Sequence, residues 1–368
     1  MDPHATPRRL AILAEGEFNP HGGKTARGVI RYGRDVIVAV IDSTRAPGNV
    51  REDMGDGFDI PIVAGLDAAL LRHPDTLLIG IAPTGGRLPA AWRLAILKAI
   101  DHGLDIHSGL HTMLGDDPEF AAAATARGVS IVDFRRAPAR MDTAVGRRHL
   151  PGKRVVLTVG TDCAIGKMSV ALELTRAAQQ AGLASVFVPT GQTGMMIAGW
   201  GVAVDRVISD FLNGTCEWLV EQAEALGDWV FVEGQGSLDH PAYSSVTLGL
   251  IHGTTPHAMV MVHRVGLERH DFDHLPEASF PIARLPDFIR LHETVAALVA
   301  PSKVVAVALN TMLYPSEADA RRVIAEIAEE TGLPTDDPVR FGADRLWTAI
   351  RDGVDALPWV TGVGSAEA

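Results

Sequence analysis

Residues 159 to 169 read VGTDCAIGKMS, between the β-branched run KRVVLT (153 to 158) and the amphipathic segment VALELTRAAQQAG (170 to 182). A strand, a glycine-bearing turn ending in Gly-Lys and a helix make up the sequence form of a phosphate cradle. Backbone N–H groups and the positive end of the helix face an anion, and the lysine adds a full charge. Gly160 is followed by five residues and then Gly166-Lys167, one residue more than the common nucleotidase loop has. Gly160, Thr161, Gly166, Lys167, Met168 and Ser169 are thereby assigned to a phosphorylated ligand. Met168 occupies the place where a nucleotide triphosphatase carries the Ser or Thr that ligates magnesium.

Outward from the cradle, short apolar runs alternate with amphipathic segments to both ends of the chain, the pattern of a mostly parallel sheet covered by helices. Strands are predicted at 9–16, 35–42, 76–83, 105–110 and 129–135, and again at 154–160, 184–191, 228–236, 257–265 and 303–311. Helices are predicted within 88–103 and 116–128, each closing on a glycine, and over 203–227 and 317–332. The stretch 135–154, rich in Arg, Pro and Gly without an apolar period, separates a first domain, 1–145, from a second, 150–368.

The 368 residues are 47% hydrophobic and 21% charged, enough for two domains with separate cores. A formal net charge of -12 argues against a nucleic-acid or anionic-membrane surface, which demands clustered Lys and Arg. Two cysteines, Cys163 and Cys216, give no disulfide framework and no metal motif. The N-terminal apolar run is far shorter than the roughly 20 residues of a membrane span and too short for a signal peptide, so a cytoplasmic protein is expected.

GTDCAIGKMS resembles the loop of dethiobiotin synthetase and related P-loop enzymes, and VEGQGS (232 to 237) resembles their Val-Glu-Gly segment. The chain as a whole is similar to a P-loop family with an added N-terminal domain that is associated with D-glutamate N-acetyltransferase activity. The matching segments are AEGEFNPHGGKTARGVIRYG, SGLHTMLGDDPEF, GTDCAIGKMSVALEL, TGQTGMMIAGWGVAVD, VEGQGSLDHPAYSSVTLGLIHG and ALNT. The resemblance implies an α/β protein with an N-terminal Rossmann-like domain and a C-terminal P-loop NTPase-like domain with a mostly parallel sheet. It also implies acetyl-CoA as co-substrate, an acidic amino acid as acceptor, and a homo-oligomer. Coenzyme A brings phosphates without needing the magnesium-ligating hydroxyl, which accommodates Met168. Ser169 keeps open an ATP/Mg-dependent ligase or kinase of the dethiobiotin synthetase type, and a non-catalytic nucleotide-binding sensor is a third reading.

Acyl transfer to an amine needs a proton acceptor, a polarised carbonyl and cations for the acceptor's carboxylates. Glu233, at a predicted strand end, is a candidate base; His240 is the alternative. Asp162 would repel phosphates inside the cradle unless it meets a cation, so it is read as a contact to the substrate amine or a metal, the alternative being a loop-stabilising hydrogen bond. Gln192, Thr193, Gln235 and Ser237 are candidate neutral contacts to substrate, and Asn310 a reader of the adenine edge or a helix cap. In the first domain, Lys24 and Thr25 of EGEFNPHGGKTARG, with Arg31, are expected to hold an acidic substrate approaching across the domain cleft. His107 and His111 of HSGLHTMLG are further candidates there, and the pair is not assigned to zinc because Ser-Gly-Leu between them reads as a turn. No metal ligand is assigned anywhere in the chain.

Overall fold

The computed structural model describes residues 6–19, 22–81, 88–139, 141–270 and 280–361. Pro20 and His21 of the first-domain Gly-Lys-Thr turn, and the end of the strand predicted at 76–83, lie outside them. The chain divides into two units, one of residues 1–137 with 192–206, the other of residues 138–191 with 207–368.

The first unit is built on a seven-stranded sheet of β1 (Arg9–Leu13), β2 (Val36–Ile41), β3 (Gly48–Asn49), β4 (Pro61–Val63), β5 (Thr76–Ile79), β6 (Asp105–Ser108) and β7 (Ile131–Asp133). The order is β3-β4-β2-β1-β5-β6-β7, and every pair is parallel except β3 with β4. Parallel strands are covered on both faces, which is why Ile12, Leu77, Ile79 and Ile106 are all buried. Helix Ala90–Asp101 buries Trp92, Ile96 and Ile100, while helix Pro118–Arg127 starts on the Asp117 carboxylate, which accepts from the N–H groups of Glu119 and Phe120, and ends at left-handed Gly128.

The second unit has a six-stranded, wholly parallel sheet of β8 (Arg154–Gly160), β9 (Ser185–Val188), β10 (Trp229–Val232), β11 (Ala258–Arg264), β12 (Lys303–Asn310) and β13 (Thr335–Asp336). Its order, β13-β12-β11-β8-β10-β9, puts β8 in the middle, with β10 on one side and β11 on the other, so the chain leaves β8 for β9 beyond β10 and later crosses back to β11. Ligands of open α/β sheets bind beyond the carboxyl ends of the strands at such a reversal, and that is where β8 delivers residues 161–166.

All ten predicted strands are present. The three that sequence analysis missed, β3, β4 and β13, are two or three residues long, too short to show a period; β3 and β13 are edge strands and β4 lies next to β3. The helix predicted over 203–227 is two elements: a 3-10 turn, Val204–Arg206, and a helix, Ser209–Glu224, separated by Ile208 in extended backbone (ψ 135°). The break falls where the chain passes from the first unit back to the second. Asp205, in the first, pairs with Arg135; Asp210 begins the helix of the second.

Buried histidines couple stability to acid. His292, fully buried on helix Leu285–Ala296, donates from Nδ1 to the Phe288 carbonyl (2.9 Å), and burial pushes its imidazole down to about 4. The unfolded chain takes up that proton near the ordinary value of 6.5, so its contribution is intact above that pH and is lost as pH falls towards about 4. His292→Leu is therefore expected to flatten the acid limb of the melting temperature between those two values; an unchanged slope would contradict the assignment.

Candidate active site

The cradle begins where β8 runs out. Thr161 N–H donates to the Val262 carbonyl of β11 (3.1 Å), and Thr161 Oγ1 lies 2.9 Å from His263 Nδ1. Ala164 (φ 55°) and Gly166 (φ 121°) reverse the chain into helix Lys167–Gln180. Gly166 is the N-cap and no side chain caps that end, so the first-turn amides are directed at whatever occupies the turn. Buried Lys167 lays its ammonium on the Asp162 carbonyl (2.5 Å), closing the loop from inside. Asn310, at the end of β12, donates to the Ile165 carbonyl (3.2 Å) and accepts the Met312 N–H (3.1 Å). It supports the cradle wall, a geometric alternative to reading an adenine.

Asp162 is fully buried, and its Oδ1 accepts the Cys163 N–H (2.7 Å). Two histidines surround that oxygen: His270 Nδ1 at 3.3 Å and His240 Nε2 at 3.9 Å. The sequence reading asked what cation a carboxylate here would meet; among the described residues, these imidazoles are charge-capable groups at its oxygen. Burial pushes the His240 imidazole below its ordinary value, against the opposing pull of Asp162. His240 Nδ1 accepts the Ala242 N–H (3.1 Å), which leaves the ring proton on Nε2, towards Asp162. Asp162, Cys163 and His240 bring one ligand atom each within 4.8 Å of one another. A metal on Nε2 would need the opposite tautomer, with Nδ1–H against the Ala242 N–H, so the trio is read as a hydrogen-bonding cluster.

Glu233 follows β10 and is also buried. Its Oε2 accepts from the backbone N–H of Thr190 (2.9 Å) and Gly191 (3.2 Å), while its carbonyl accepts the Thr190 hydroxyl (2.7 Å). Gln235 adds an amide donor to Thr190 Oγ1 (3.2 Å). Ser237, also buried, donates to Asp239 Oδ1 (2.7 Å). Gly234 lies against the chain itself. A Cβ built there would stand 1.7 Å from the Thr158 carbonyl oxygen, and Gly234 N–H donates to Thr158 Oγ1 (2.9 Å).

The remaining candidates belong to the first unit. Lys24 and Arg31 are exposed on helix Lys24–Tyr32, seven residues apart, which at about 1.5 Å per residue separates them by about 10 Å along the axis. They do not make one carboxylate clamp. Arg31 stacks over Phe58 (5.9 Å). Buried Thr25 shares a 2.8 Å hydroxyl contact with Thr193, whose helix, Gln192–Ala198, joins this unit although it follows β9 in sequence. Gln192 packs its Cγ beside Gly109. His111 is exposed, whereas His107 is buried edge-on to Phe134 (5.3 Å) and pushed down to about 4 by burial.

Sequence reasoning passed over His263, His270 and Asp239. The signal for the first was its place at the end of a predicted strand; Asp239 stood in the quoted VEGQGSLDH segment, and nothing local distinguishes His270.

Residues 142–347 match a family described as a domain of unknown function, DUF1611_C, P-loop domain, and residues 43–137 match its partner, DUF1611_N, Rossmann-like domain. The chain is 36% identical over 294 residues to a protein of Tritonibacter scottomollicae named D-glutamate N-acetyltransferase, covering 77% of this chain and 84% of that one. A Pseudoalteromonas protein of the same name is 37% identical over 272 residues, with 74% and 80% covered. Among solved structures, a DUF1611 family protein from Anabaena variabilis superposes with a TM-score of 0.88 at 43% identity, covering 94% of this chain and 99% of its own. A Rossmann-like domain followed by a P-loop domain, each on a mostly parallel sheet, is thus the architecture of both the chain and its relatives, and the chain belongs to the DUF1611 family.

Proposed function

We propose that the chain is an N-acetyltransferase that moves the acetyl group of acetyl-CoA to the amine of an acidic amino acid, D-glutamate being the acceptor in the names of its relatives. The observation that carries the reading is the composition of the cradle. It has the amides, the helix start and the buried lysine that hold phosphates, but Met168 where magnesium-dependent phosphoryl transfer needs a hydroxyl. The residues present fit a phosphorylated carrier: Gly160, Thr161, Gly166, Lys167 and Ser169 would hold its phosphates, and the carrier supplies the activated acyl group.

Asp162, a buried carboxylate within the cradle loop, takes a proton from the acceptor amine. His240, with its proton on Nε2 towards Asp162, is a positioning residue for that carboxylate. Glu233 acts as a brace, fixing loop 190–191 through two backbone N–H groups.

Free-thiol release from acetyl-CoA with D- and L-glutamate, run beside phosphate release from Mg-ATP, tests the reading. Thiol release dependent on the amino acid is expected; phosphate release without it would favour the ligase or kinase alternative. The brace has its own test. Glu233→Ala leaves two buried N–H groups without their acceptor, at about 1–3 kcal/mol each. Glu233→Gln keeps an acceptor oxygen, so it should melt within a few degrees of the wild type and retain most turnover. Loss of turnover in a well-folded Glu233→Gln would return Glu233 to the role of base.

A further inference from the structure

We propose that Asp162, His270 and Asp239 form a proton relay leading from the cradle interior to solvent; the proposal rests on the acyl-transfer reading above. Acetylation of an ammonium by a thioester forms a C–N bond, breaks a C–S bond and strips two protons from nitrogen. One leaves with the thiol and the other must reach water. Asp162, where that proton is first taken, is 0% exposed, so the proton does not pass from it straight to bulk water.

His270 supplies the exit. Its ring is buried (2% exposed), with Nδ1 3.3 Å from Asp162 Oδ1 and Nε2 3.2 Å from Asp239 Oδ1. Both nitrogens lie off the line of a good hydrogen bond and have no other polar partner among the described residues, so the two carboxylates are their neighbours. The Asp239 side chain is 20% exposed and is held by the Ser237 hydroxyl (2.7 Å) and the Ala283 N–H (3.3 Å). The three groups therefore run from full burial to solvent with no break longer than 3.3 Å. Imidazole suits the middle place because it takes a proton on one nitrogen while releasing another from the opposite edge.

The transfer balances. The amine N–H breaks as an O–H forms on Asp162; that O–H breaks as Nδ1–H forms on His270; Nε2–H breaks as an O–H forms on Asp239, which loses the proton to water. Among the described residues, the charged or titratable groups that face the relay are the His240 ring, 4.9 Å from that of His270 between centroids, the Lys167 ammonium on the Asp162 carbonyl, and Cys163, whose sulfur lies within 4.8 Å of an Asp162 carboxylate oxygen.

The test uses the full chain. His270→Ala should lower kcat for thiol release by about 100-fold or more while acetyl-CoA binds within about twofold of the wild type, and added imidazole should restore turnover. Unchanged kcat, or a loss that imidazole does not recover in a folded variant, overturns the relay. Should His270→Ala not fold, Asp239→Asn is the second variant: a fall in kcat and a displaced pH profile at unchanged acetyl-CoA affinity support the relay, and a wild-type profile overturns it. Absence of thiol release by the wild type overturns the acyl-transfer reading and the relay with it; release by the wild type with both variants unaltered overturns the relay alone.

Discussion

Lys167→Ala is expected to weaken acetyl-CoA binding by about 10- to 100-fold, with the melting temperature of the free protein changed far less. The side chain is buried and its ammonium sits on the Asp162 carbonyl, at the mouth of the helix whose first amides have no side-chain cap. A charge-assisted hydrogen bond of this kind contributes about 1.5–3 kcal/mol, which is the stated loss of affinity. Calorimetry of acetyl-CoA binding to the wild type and variant measures it. Lys167→Arg should not restore affinity, because a planar guanidinium does not fit a space shaped for a compact ammonium within 2.5 Å of a backbone carbonyl. Wild-type affinity in Lys167→Ala would mean that the carrier's phosphates bind elsewhere.

Gly234→Ala is expected to be the more damaging change to the fold. The added methyl would stand 1.7 Å from the Thr158 carbonyl and 3.1 Å from Lys167 Cδ, so β8 and the chain leaving β10 must separate. Overpacking a rigid site costs about 1–3 kcal/mol or more, and the shift also strains the Gly234 N–H bond to Thr158 Oγ1. For a domain of about 200 residues that is a fall of about 2–12 °C, or failure to fold, read by thermal melting of purified protein. Gly166→Ala, in contrast, meets nothing within 4 Å, and its cost is confined to the left-handed backbone at φ 121°. Equal melting temperatures for Gly234→Ala and the wild type would show that the two strand ends are farther apart than the structure has them.

Much of the fold was legible because parallel strands buried on both faces read as continuous apolar runs, and β8 to β12 are such runs. The edges were not. A strand of two residues such as β13 owes its existence to the neighbour it pairs with, and no local pattern encodes that. The same holds for the break at Ile208: Val207, Ile208 and Ser209 are each acceptable in a helix, and only the passage between units makes the chain extend there. The cradle could be read residue by residue because its groups are consecutive. His270 could not, since its significance comes from Asp162 and Asp239 reaching it from other loops.

By itself, the order of residues determined the two α/β units, the position of the Gly-Lys turn between strand and helix and the methionine after its lysine, because propensity, period and a contiguous motif are local properties. Only the tertiary structure decided that Glu233 holds loop 190–191, that Gly234 makes room for Thr158, that residues 192–206 belong with the first unit, and that Asp162 looks onto two histidines. Each of these depends on which strand ends the sheet order brings side by side, and that order is set by packing over the whole domain.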